Sequence, residues 1–149
     1  MLNNIGVIGA GAMGAGIAQV IATAGYYVVL VDINNEVLQK AKNTLSTSLG
    51  QLLDKGKIDA QQLNAIFGRI GFDTTMSSLS EADLVIEAIV EDLDVKKNLI
   101  HQLNQITKDA AIVASNTSSL SITSLAKEYR NSDRFIGLHF FNPAVIMQL

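Results

Sequence analysis

Three glycines spaced G-x-G-x-x-G, at Gly9, Gly11 and Gly14, close the apolar run Ile5-Gly6-Val7-Ile8 and open a helical pattern. Asp32 follows Gly14 by 18 residues, at the end of a second apolar run, Val28-Val29-Leu30-Val31. A glycine spacing alone is weak, because it arises often by chance. A strand before it, a helix after it and an acid at this distance are the setting that a dinucleotide-binding βαβ unit requires.

The rest of the chain repeats that alternation. Residues 2–8 read as a buried strand, and Met13, Ile17, Val20, Ile21 and Ala24 recur at helical spacing. Gly25 ends that helix, and residues 27–32 form the second strand. A long helix is predicted from about Glu36 to Lys55, stopped at Lys55-Gly56-Lys57, and a shorter one over 59–67. Further strands are expected over 69–72, 83–88, 111–114 and 135–138, with a helix over 94–106. Alternating strands and helices predict an α/β, Rossmann-type doubly wound fold: a mostly parallel sheet with helices on both faces, in the order 3-2-1-4-5-6. Residues 1–149 are read as one domain.

Composition narrows the function. The chain is 48% hydrophobic and 17% charged, with a formal charge of −3, no Lys/Arg block and no cysteine. Nucleic acid therefore has little electrostatic support as a partner. A thiol nucleophile, a disulfide framework and a cysteine-ligated metal are excluded, and no metal site is expected. No apolar run approaches the ~20 residues that span a bilayer, and no export leader is visible. The expectation is a cytoplasmic protein that does not enter a membrane.

The glycine turn assigns roles to Gly9, Ala10, Gly11, Ala12, Met13 and Gly14. Gly9 allows the tight turn, Gly11 lets backbone approach a pyrophosphate, and Gly14 lets the helix pack closely. The helix starting near Met13 aims unpaired N–H groups and a positive dipole end at the phosphates. The Asp32 carboxylate would bind ribose hydroxyls and repel a 2′-phosphate, and no Lys or Arg follows in Ile33-Asn34-Asn35. NAD is therefore the expected cofactor, in preference to NADP. His139 stands at the carboxyl end of the sixth predicted strand, where an alcohol dehydrogenation would need a base of near-neutral pKa. His101 falls off its helix's apolar face and reads as a surface residue, while Met13, Met76 and Met147 read as packing.

Four stretches in order, Gly9–Gly14, Glu87-Ala88-Ile89-Val90-Glu91, Ser115-Asn116-Thr117-Ser118-Ser119-Leu120 and His139-Phe140-Phe141-Asn142-Pro143, resemble the NAD-binding domain of the 3-hydroxyacyl-CoA dehydrogenase family, including 3-hydroxybutyryl-CoA dehydrogenases. The resemblance spans the whole chain. It implies that His139 is the catalytic base, that Asn142 shapes the pocket around it, and that Ser118 touches both nicotinamide and substrate oxygen. It further implies that Glu91 and Lys96 contact the cofactor, and that Ser48 and Lys55 hold coenzyme A. Ser48 and Lys55, seven residues apart, share one helix face. The bland readings are solvated charges for Glu91 and Lys96, routine helix-face residues for Ser48 and Lys55, and a helix cap for Ser118.

The resemblance also implies an acyl-CoA substrate, a glutamate 12 residues after His139, and a helical C-terminal domain that makes a homodimer; the glutamate and that domain would lie past Leu149. The expectation is thus a cofactor domain of a longer enzyme, weakly active or inactive alone. Val145 replaces a proline that family members commonly carry. Two rivals stay open: a non-catalytic NAD(H)-binding module, and a β-hydroxyacid dehydrogenase of the 6-phosphogluconate type. A nucleotide-sugar dehydrogenase would need a cysteine that is not there.

Overall fold

The computed structural model describes residues 2–145. Among them, six parallel strands form one sheet: β1 (Asn4–Ile8), β2 (Tyr27–Val31), β3 (Ile70–Asp73), β4 (Leu84–Glu87), β5 (Ile112–Ser115) and β6 (Phe135–Gly137). Their order is β3-β2-β1-β4-β5-β6, as the alternating pattern predicts. The order reverses between β1 and β4, so a crevice opens at the carboxyl ends of those two strands.

Among the described residues, five α-helices cover the sheet: α1 (Ala12–Thr23), α2 (Asn35–Asp54), α3 (Ala60–Gly68), α4 (Leu93–Ile106) and α5 (Ile122–Ala126). Side chains alternate across a strand, so neighbouring strand residues feed opposite cores. Val7, Leu30, Ile86 and Ala114 pack with Ile17, Leu45 and Leu49 in the layer of α1–α3. Ile8, Val31, Val85 and Val113 pack with Ile100, Leu103 and Leu125 in the layer of α4 and α5. The register pairs Glu87 with Ile8 on one side and Ser115 on the other, which puts Glu87 on the α4 side.

Predicted and observed elements agree within a residue or two at most ends. The breaks are explained locally. Gly25 and Gly56 take φ of +97° and +66° just past α1 and α2, a region open to glycine. Ser121, rather than Ser118, caps α5, its side chain accepting from the Ser124 N–H. Met13 and Met76 pack against the two cores, while Met147 lies outside the described residues. No helix among the described residues is long and apolar enough to cross a membrane.

Candidate cofactor and substrate site

The turn from β1 into α1 is built around its glycines. Gly9 has φ +97°, and a Cβ there would also meet the Ala88 carbonyl at 2.6 Å. A Cβ at Gly14 would strike the Gly9 carbonyl, so this glycine packs the helix against the turn itself. A Cβ at Gly11 would meet nothing within 4 Å; that position faces open space.

These features fit a pyrophosphate. Helices α2, α3, α4 and α5 are capped by the side chains of Asn34, Asp59, Asp92 and Ser121. Helix α1 begins at Gly11 with no side-chain cap and no acid in its first turn. Its leading N–H groups at Ala12, Met13 and Gly14 are therefore left for an external anion.

Asp32, at the end of β2, accepts from the Ala10 N–H through Oδ2 and from the Asn34 N–H through Oδ1, each at 2.9 Å. The acid is thus tied to the glycine turn and to the cap of α2 at once. Beside it lies a cleft of about 310 Å³ lined by Ile33, Met76, Ile89 and Val95, suited to a flat heterocycle. Sequence reading gave these residues no site role, and Met76 only packing. Their signal is weak, since apolar residues at such spacing serve cores equally well.

At the carboxyl ends of β4 and β5, Glu91 and Lys96, implied as cofactor contacts, stand in a polar network. Glu91 accepts from the Ser118 N–H at 3.1 Å, the Ser119 N–H at 3.2 Å, the Ser119 hydroxyl at 3.0 Å and the Thr117 hydroxyl. Burial pushes the Glu91 carboxyl up, but the Thr117 and Ser119 hydroxyls, the Ser119 N–H and the Lys96 charge outweigh it and hold it at about 2. Glu91 and Ser118 are therefore brought together.

Lys96, implied by the resemblance as a cofactor contact, is buried. Its side chain is 1% exposed, and its Nζ donates to both carboxylate oxygens of Glu87 at 2.7 Å. Glu91 Oε2 lies 3.6 Å away on the other side. A cation can be buried only with a partner, and Glu87 on β4 supplies one. Glu87 also accepts from the Ser115 hydroxyl and the Ile89 N–H. Sequence reading gave Glu87 no role; a carboxylate ending the run Leu84-Val85-Ile86 was its signal.

His139 follows β6 and is exposed, with Nδ1 3.4 Å from the Asn116 carbonyl and its ring edge-on to Phe141 at 5.0 Å. Asn116 Oδ1 accepts the Phe140 N–H at 2.7 Å, so the loops carrying Ser118 and His139 are joined. Asn116 is a second residue without an assigned role in the sequence reading. Asn142 lines a small cleft with Ala12, Ser48 and Ala144, over α1 and α2. Ser48 and Lys55 share a neighbouring cleft of about 530 Å³ with Gln19, Gln51 and Val145. His101 sits at the surface, its Nε2 2.9 Å from Glu128.

Known proteins resemble this chain throughout its length. A probable 3-hydroxybutyryl-CoA dehydrogenase of Deinococcus radiodurans is 49% identical over 97% of the chain and 51% of that protein. The mitochondrial hydroxyacyl-coenzyme A dehydrogenase of Homo sapiens is 43% identical over 100% of the chain and 49% of that protein. A crystal structure of (S)-3-hydroxybutyryl-CoA dehydrogenase from Ralstonia eutropha superposes with a TM-score of 0.97 at 42% identity, over the whole chain and 53% of that structure. The chain spans about half the length of these relatives. The model of the family described as 3-hydroxyacyl-CoA dehydrogenase, NAD binding domain, matches residues 4–149, and the chain belongs to that family.

Proposed function

We propose that this domain serves the reversible oxidation of an (S)-3-hydroxyacyl-CoA, such as 3-hydroxybutyryl-CoA, to the 3-oxoacyl-CoA. The observation that carries the reading is the joining of the His139 and Ser118 loops through Asn116, at the carboxyl edge of the sheet whose glycine turn receives NAD. Bound NAD supplies the acceptor for the hydride leaving C3. His139 takes the hydroxyl proton, and Ser118, beside the nicotinamide end of NAD, orients the oxygen, so that the developing charge meets a placed group. Asn142 closes the pocket from the α1 side. Ser48 and Lys55 hold the coenzyme A moiety, Lys55 meeting a phosphate.

In this reading the chain provides the cofactor half of the cleft. A helical domain of the kind the family resemblance implies provides the other wall, a carboxylate to orient His139, and a homodimer contact. Fatty-acid metabolism is the setting that the acyl-CoA substrate class supports.

The test is NADH oxidation with acetoacetyl-CoA near neutral pH, run beside His139→Ala. Turnover that the substitution abolishes, with NADH fluorescence titration unchanged, supports His139 as the base. Turnover surviving in His139→Ala removes that assignment. NADH binding without turnover in either protein marks residues 1–149 as a cofactor domain awaiting the other half of its cleft, and the His139 comparison is then made in a chain that carries the helical domain.

A further inference from the structure

We infer that Glu87, Lys96 and Glu91 act as one charged unit that favours oxidised over reduced cofactor, with Glu87 as its buried positioning residue. The inference rests on the reading above, which places the nicotinamide end of NAD beside Ser118.

The unit is continuous. Lys96 Nζ lies 2.7 Å from Glu87 and 3.6 Å from Glu91, so one cation is shared by two carboxylates and one negative charge is left over. Glu87 and Lys96 are each 1% exposed, whereas Glu91 is 37% exposed. Of the three, Glu91 alone is open to solvent, and it is fastened to Ser118 and Ser119 by their N–H groups. Lys96 can thus influence a ligand there without touching it. Glu87 holds the ammonium back from Glu91 through two short contacts, themselves braced by Ser115 and Ile89.

The consequence is electrostatic. The nicotinamide ring carries a positive charge when oxidised and none when reduced. A surplus negative charge at the ends of β4 and β5, partly shielded from water, stabilises the first form and leaves the second nearly unaffected. Removing the Glu87 charge lets Lys96 neutralise Glu91 alone, and the preference should fall.

The experiment measures both dissociation constants on the same protein, NADH by fluorescence titration and NAD+ by competition. In Glu87→Gln the ratio of the NAD+ to the NADH constant is expected to rise about three- to tenfold, the size of one unit charge acting several ångströms away through a medium between protein and water. A purely structural lesion weakens both ligands alike and leaves the ratio where it was. Glu91→Gln removes the same charge from an exposed position and should move the ratio in the same direction, which keeps the test open if Glu87→Gln does not fold. In Glu87→Gln/Lys96→Met the surplus negative charge returns, and the ratio should return toward the wild-type value. An unchanged ratio in both single variants that fold overturns the inference. Failure of the wild-type protein to bind either form overturns the cofactor reading, and this inference with it.

Discussion

An added Cβ at Gly14 would strike the Gly9 carbonyl, whereas at Gly11 it would enter empty space. The two glycines should therefore fail differently. Gly14→Ala forces backbone apart and is expected to cost about 1–3 kcal/mol of stability, together with NADH affinity. Gly11→Ala is expected to leave the unfolding free energy, read from urea titration, within about 0.5 kcal/mol of wild type and to weaken NADH about tenfold or more, because the methyl occupies the space left for phosphate. Equal unfolding midpoints for both variants would refute this division of roles. The tight glycine turn was legible because spacing and backbone chemistry coincide there. Glu87 and Asn116 were not, since their roles exist only through Lys96 and the Phe140 N–H, which sequence does not place beside them.

At the level of elements, the link between β2 and α2 bears both fold and site. Asp32 accepts the Asn34 N–H, and Asn34 in turn accepts from the Glu36 and Val37 N–H groups at 2.9 and 3.4 Å to start α2. Asn34→Ala is expected to destabilise the domain by about 1 kcal/mol, read from the urea midpoint, and to weaken NADH modestly by loosening Asp32. A midpoint equal to wild type would show that the cap contributes nothing. Helices α2 and α4 were visible because their apolar faces repeat over 20 and 14 residues. Helix α5 has five residues, and the 3₁₀ turn at Met76–Leu79 has four, too few to display a period.

Over the whole molecule, acid should act through a few carboxylates that tie distant parts together. Asp83 is held below the usual carboxylate range by the Asn4 N–H, then Lys108 and the Asn3 N–H, fastening β1 to the loop before β4. Glu91, held at about 2, fastens the end of β4 to the loop after β5. Both groups titrate lower folded than unfolded, so their contribution is complete above the ordinary carboxylate range and is lost as pH falls through it. Urea midpoints are expected to hold from pH 7 to about pH 5 and to drop between about pH 4.5 and 2. Asp83→Asn should flatten that drop. A midpoint constant down to pH 2.5 would show that neither carboxylate is linked to folding.

The sequence by itself determined the doubly wound fold, its strand order and the preference for NAD, because these follow from apolar periodicity, a glycine spacing and one acid, all local in the chain. Only the tertiary structure decided which polar residues meet. It buried Lys96 against Glu87, fastened Glu91 to the Ser118 loop, and joined that loop to His139 through Asn116. The reason is physical: a parallel sheet gathers the ends of strands far apart in sequence onto one edge. A charge that local pattern leaves at the surface is there enclosed by partners from other strands.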